Sequence, residues 1–329
     1  MIFFGLLENE TLRVWKKKRF LVVVLLLLVL IPVFTYAQYK SVKNIEEKMG
    51  TTDWHVQIQQ QIIDYQNRLT SPRLPEEWRG WIKVQMQQLE YYLEHDINPK
   101  SMNGVTFMRI FIQQANTLFI PLLIVVIASD IVSEEYTGGT IKLLVTRGVK
   151  RSKILLSKYF VLIFYVSITL FLTGLFAYLI SALPFGYHGF QDPILVGFQI
   201  MNEEVDTTNV HLVPQWYYIL LQYGLAWYVN FFVATFTLMV SVLVQNTATS
   251  MGIMLAAIIS GNTLMEMAAS WPEAKYIPFV NFNLTDYLAG SLPPISGMNL
   301  SFSLTNLTFF AILSLIVAFS IFRRKDILA

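Results

Sequence analysis

Six apolar runs, each near the length of a membrane-crossing helix, leave this chain few ways to fold. They cover approximately Phe20–Tyr36, Phe107–Ala128, Tyr159–Leu183, Gln215–Val244, Gly252–Ala269 and Ser303–Phe322. A bilayer core of about 30 Å at 1.5 Å per helical residue asks for about twenty such residues. Only 14% of the 329 residues are charged, too few to clothe a soluble domain of this size. The expected fold class is therefore an all-α membrane protein with six transmembrane helices. Added to these are an N-terminal interface helix, a cytoplasmic coupling helix and an extracellular helical hairpin. By segment, 1–19 is a cytoplasmic interface helix, 20–36 the first transmembrane helix and 37–104 the extracellular hairpin. Residues 105–329 hold helices two to six, with the connector 130–158 and outer loops 183–214 and 270–302.

Lysine and arginine orient the runs, because basic residues collect on the cytoplasmic side. Arg13, Lys16, Lys17, Lys18 and Arg19 precede the first run, and Arg323, Arg324 and Lys325 come after the last. Lys142, Arg147, Lys150, Arg151, Lys153 and Lys158 lie between the second and third. The 183–214 segment has no Lys or Arg, and 270–302 has only Lys275. Both termini and the 130–158 connector are thus expected in the cytoplasm. The first run is expected to be a retained anchor rather than a cleaved signal, since nineteen residues precede it. A net charge of +2 does not suggest nucleic acid, and the absence of cysteine excludes disulfides and thiolate metal sites.

Outside the membrane, Trp54, Ile58, Ile62, Tyr65 and Leu69 recur three or four apart, as do Trp78, Ile82, Met86, Leu89 and Leu93. Each set makes one helical stripe, and Ser71–Pro75 separates them, so an antiparallel hairpin is expected. Ile2, Phe3, Leu6, Leu7 and Leu12, set against Glu8 and Glu10, predict a helix lying in the inner interface. The 270–302 segment, apolar yet rich in Pro and Gly, predicts short helices dipping into the outer leaflet. Trp216, Tyr217, Tyr218 and Trp227 suit an interfacial start to the fourth run.

The connector is the most densely charged link between two runs. Asp130, Glu134 and Glu135 end the second run, Gly138-Gly139 breaks the chain and Thr140 caps the next turn. Ile141, Leu143, Leu144 and Val145 then offer a short apolar surface. The run EEYTGGTIKLLVTRGVKRSKILLSK resembles the cytoplasmic connector of type-2 ABC transporter permeases, a class that includes sodium- and antibiotic-efflux permeases. The matching residues are Glu135, Gly139-Thr140, Leu143-Leu144, Arg147-Gly148, Arg151 and Lys158, and Phe322–Leu328 is similar to the family's basic-then-Asp ending. Relatives often carry Pro where this chain has Gly148.

This resemblance implies an exporter subunit in a bacterial plasma membrane, with a connector that docks on a separate ATPase. Its implied coupling residues are Glu134, Glu135, Gly139, Thr140, Lys142, Leu143, Leu144 and Arg151. It further implies a dimer of ATPase subunits, a second permease copy or a related chain, and ATP with Mg on the partner rather than here. A bilayer-anchoring role is the simpler expectation for Lys158. The chain itself contains no Gly-rich phosphate loop ending in Gly-Lys-Ser/Thr.

A membrane hydrolase is disfavoured, because His55, His95, His188 and His211 are expected on the side opposite Glu134 and Glu135. No catalytic residue and no metal ligand is assigned. Glu266, alone in the fifth run, and Asn230 in the fourth are candidate pathway residues. Thr235, Thr237 and Ser241 are expected to bond helix to helix, and Arg109 to anchor at the surface. The apolar outer segments suggest an amphipathic or lipid-like cargo such as an antimicrobial compound. The alternative is a membrane sensor or scaffold whose hairpin binds a ligand or partner without transport.

Overall fold

The computed structural model describes residues 2–72, 74, 76–99, 101–137, 149–201, 204–244, 246–267 and 271–324. Helix α1 (Ile2–Lys16) leads into α2 (Arg19–Met49), a single 31-residue helix. Its buried face is Phe20, Val23, Leu27 and Ile31, while Leu21, Leu25, Leu28 and Val29 remain exposed. That helix runs well past Tyr36, where the first transmembrane helix is expected to end, and becomes a stalk. Gly50 stops it in a left-handed turn at φ 64°, with its N–H bonded to the Glu46 carbonyl.

The hairpin comes next as α3 (Trp54–Leu69) and α4 (Glu76–Glu94). Ile58, Ile62 and Leu89 are buried together, with Trp54, Tyr65, Met86 and Leu93 against them. Most of the predicted stripe residues therefore meet, but Leu69, Trp78 and Ile82 lie outside this cluster, and Trp78 is 57% exposed.

The second apolar run is broken. Helices α5 (Gly104–Ala115) and α6 (Phe119–Ala128) are bent by 65° at a short break, and α7 (Asp130–Thr137) continues from α6. Pro121 supplies the physical reason. It lacks the N–H that a continuous helix needs at that point, yet fits the first turn of a new helix.

Beyond the connector lie α8 (Arg151–Phe185), α9 (Gln215–Val244), α10 (Thr247–Met267) and α11 (Leu300–Arg324). Helix α9 is central and packs on α5, α6, α8, α10 and α11. Five helices, α2 and α8 to α11, are long and apolar enough to cross a membrane, and the bent α5–α6 pair makes a further candidate. Helix α8 begins at Arg151, so the last part of the predicted connector is the first two turns of a long helix.

The expectation of an all-α fold needs one correction. Residues 193–214 form β1 (Pro193–Val196), β2 (Gln199–Met201), β3 (Glu204–Asp206) and β4 (His211–Pro214). The pairs β1–β4 and β2–β3 are antiparallel and nested, making one long kinked hairpin. Gly197 makes the kink: its φ is 92°, and a Cβ there would collide with the Asn209 carbonyl. Ile194-Leu195-Val196 and Leu212-Val213 supply the aliphatic and β-branched residues that favour strand pairing.

The segment 271–299 forms the expected short helices as 3-10 turns, at Pro272–Tyr276, Pro278–Val280 and Leu284–Tyr287. Ala274, Val280, Ile295 and Met298 bury one face of it. It passes so close to α10 that a Cβ on Gly261 would strike Phe279.

Candidate functional site: a buried ion network and a charged cavity at opposite ends

Helices α1, α7 and α8 converge at one end of the bundle. Lys158, one turn past the point where α8 becomes apolar, has 0% of its surface exposed, as does Glu135 on α7. Its Nζ donates to Glu135 Oε1 at 2.6 Å and to Glu10 Oε2 on α1 at 2.8 Å. Arg13, one turn along α1, also pairs with Glu135 and lies 3.9 Å from Glu10. Beside them, Arg19 Nε approaches Asp130 Oδ2 at 3.1 Å, and Lys17 reaches Asp130 at 3.5 Å and pairs with Glu134. Burial lowers the Lys17 ammonium to about 8, against the opposing pull of Asp130.

Four carboxylates thus face four cations: Glu10, Asp130, Glu134 and Glu135 against Arg13, Lys17, Arg19 and Lys158. A buried charge survives only when its partners replace water, so this set holds four helices, α1, α2, α7 and α8, in one register.

Several expectations change here. Glu135 is read in sequence as a surface contact, but its carboxylate is wholly interior and its partners belong to this chain. Glu134 is partly exposed and tied to Lys17. Lys158 is no bilayer anchor but the hub of the network. On α1, Glu10, expected on the polar face, is buried at 2% exposure, whereas the apolar Leu12 remains exposed. Arg151 donates to the Arg323 carbonyl of α11 at 3.3 Å, linking the start of α8 to the chain's last helix. Gly139, Thr140, Lys142, Leu143 and Leu144 lie outside the described residues. A lysine inside an apolar run was the signal for the Glu10–Lys158 pair, although nothing in the sequence chose Glu10 over Glu8 as its partner.

Asn230 also turns inward. Its Nδ2 donates to Asn116 Oδ1 at 2.7 Å and to the Ala226 carbonyl at 2.8 Å. Asn116 is the residue that ends α5, so Asn230 braces the break rather than facing a channel. Ser241 plays a similar part at the α6–α7 joint. It donates to the Ser129 carbonyl at 2.9 Å and accepts from the Ser133 N–H at 2.9 Å. Thr237 bonds back to its own helix, and Thr235 meets Tyr159 at 3.1 Å. Trp227 donates to Ser167 of α8 at 2.9 Å, well inside α9 rather than at its start.

At the hairpin end, a cavity of about 810 Å³ opens between α4, α5, β1 and the ends of α9 and α10. It is large enough for a drug-sized molecule. Glu266, Arg109 and Asp286 line it, together with Trp78, Trp81, Tyr92 and Tyr218. Arg109, expected as a surface anchor, sits with its guanidinium 5.8 Å from the centre of the Tyr218 ring. Gln113 donates to Asp286 at 2.8 Å, and burial holds the Asp286 carboxyl above its usual range. Gln88 of α4 donates to the Gly290 carbonyl at 2.8 Å, and Gln87 accepts from the Val205 N–H at 2.9 Å. Those two bonds fasten the helical hairpin to strand β3 and to the outer loop at Gly290. A second cavity, about 730 Å³, is reached by Ile110 and Gln114 of α5 and by Tyr39 and Val42 of the stalk.

A family described as "Protein of unknown function (DUF2705)" matches residues 79–328. The chain is similar to the uncharacterized protein YhcI of Bacillus subtilis (strain 168), 30% identical over 291 residues, covering 84% of this chain and 86% of that protein. It is also similar to the uncharacterized membrane protein YdbK of the same organism, 29% identical over 212 residues, covering 64% and 78% respectively. With five apolar helices of membrane length, the chain is a multi-pass membrane protein.

Proposed function

We propose that this chain, which belongs to the DUF2705 family, is the membrane-spanning permease subunit of an ATP-driven ABC exporter whose ATPase is a separate polypeptide. The bent α5–α6 pair is counted as one crossing, which makes six. Both termini and the connector then face the cytoplasm of a bacterial cell, as the basic flanks ask.

The observation that carries this reading is the network around Lys158. A connector that receives force from an ATPase must pass it to the bundle without slack. Here the connector's entry, α7, and its exit, α8, are joined to each other and to α1 through buried ion pairs. Interior pairs of this kind shift as a unit or break at considerable cost. The resemblance of the connector to ABC permeases makes Gly139, Thr140, Lys142, Leu143 and Leu144 the proposed contacts with the ATPase, together with the partly exposed Glu134. Glu135 acts by holding the connector to the bundle.

The test is purification of the chain in mild detergent, with copurifying proteins identified by mass and assayed for ATP hydrolysis. A stoichiometric ATPase is expected, lost from Leu143→Glu/Leu144→Glu while that variant keeps the wild-type melting temperature. Recovery of the chain without an ATPase, under conditions that preserve other membrane complexes, overturns the proposal. The hairpin-end cavity then favours a ligand-binding sensor or scaffold.

A further inference from the structure

We propose that the hairpin-end cavity is a binding site for a cationic amphiphile, with Glu266 as the counter-ion and Trp78 and Trp81 as the aromatic contacts. The charge balance points to a cation. Among the described residues, two carboxylates, Glu266 and Asp286, line the cavity against a single base, Arg109, whose guanidinium already lies over the Tyr218 ring. Gln113 engages Asp286, whereas Glu266 is exposed and forms no ion pair among the described residues. An unpaired carboxylate at the end of an apolar helix, turned to a cavity, is placed to receive a positive charge rather than to hold the fold.

The aromatic residues agree. Trp78 and Trp81 lie one turn apart on α4, edge to face at 6.1 Å, and are 57% and 36% exposed. The periodicity of α4 predicts that Trp78 packs inside the hairpin, yet it opens onto the cavity instead. Indole faces attract cations through their quadrupole, and they also bury apolar chain. Part of the wall suits a tail, with Ile194, Leu195, Met265, Leu292, Pro293 and Pro294 apolar, while Gln85, Gln88, Asn283 and Ser291 make the remainder polar.

The site concerns equilibrium binding and stands apart from ATP coupling, so it is tested on the isolated chain with no ATPase present. Purified protein is titrated with radiolabelled dodecyltrimethylammonium and, separately, with radiolabelled dodecyl sulfate. Saturable binding of the cation is expected, weakened about fivefold by Glu266→Gln and restored in part by Glu266→Asp. Trp78→Ala is expected to weaken it about threefold, and Trp78→Phe less. Arg109→Gln, which removes the base lining the cavity, should tighten it. Cation uptake that does not saturate, or that is equal in wild type and Glu266→Gln, overturns the proposal. So does saturable binding of dodecyl sulfate that Arg109→Gln abolishes, because the site is then anionic in preference.

Discussion

Replacing Lys158 by methionine is the sharpest perturbation of the ion network. The side chain keeps its length and loses its charge, leaving Glu10 and Glu135 buried without the ammonium that lies 2.8 Å and 2.6 Å from them. Removing one member of a buried pair typically costs about 3–5 kcal/mol, because the abandoned charge has no water to return to. Arg13 still reaches both carboxylates, so the lower end, about 3 kcal/mol, applies. For a chain of 329 residues that corresponds to a fall in melting temperature of roughly 4 °C, read by intrinsic fluorescence in detergent. Adding Glu135→Leu removes one of the stranded carboxylates and leaves Glu10 beside Arg13. The double variant should recover about 2 kcal/mol relative to the sum of the single changes. A fall of less than about 2 °C in Lys158→Met, or strictly additive losses in the double variant, refutes the idea of an interior, mutually dependent network.

Two further perturbations probe the hairpin end. His55 bridges Asp53 and Asp96 at 2.9 Å each, joining the start of α3 to the end of α4, and these hydrogen bonds raise its pKa above 6.5. A raised histidine stabilises the folded state fully below its unfolded pKa and loses that contribution as pH climbs through the folded value. Amide exchange across α3 should therefore separate wild type from His55→Gln at about pH 6 and converge by about pH 9; an equal difference at both refutes the clasp. Gly197→Val places a β-branched side chain at φ 92° against the Asn209 carbonyl, with an expected cost of about 2 kcal/mol. It should also free the strand hairpin's tip from α4, read as loss of a Lys83–Glu204 zero-length crosslink; unchanged crosslinking argues against Gly197 setting the kink.

Length and periodicity carried much of this fold on their own. The apolar runs became the long helices α2 and α8 to α11, because a helix that is apolar throughout needs no particular partner to be recognised. The stripes Trp54–Leu69 and Trp78–Leu93 likewise found each other across a short link, since a neighbouring amphipathic helix is the nearest surface to cover. Pro121 carried the break in the second run, though a twenty-residue hydropathy count passes over a single proline. The strand hairpin at 193–214 was hidden by its short, irregular strands, whose pairing depends on the kink at Gly197.

What tertiary structure decided is the partner of each polar residue. Spacing states which face of a helix a side chain occupies, but not which helix will lie against that face. Glu10 and Lys158 are 148 positions apart, and Asn116 and Asn230 are 114 apart. Within apolar surroundings each polar group must find a complement, and several in this chain were chemically suitable for each. Helix packing selected among them: it turned Glu135 inward onto Lys158, set Asn230 against the end of α5, and left Glu266 facing an open cavity. The chain's hydrophobicity determined that it enters a membrane, and the helix contacts determined where its few charges meet.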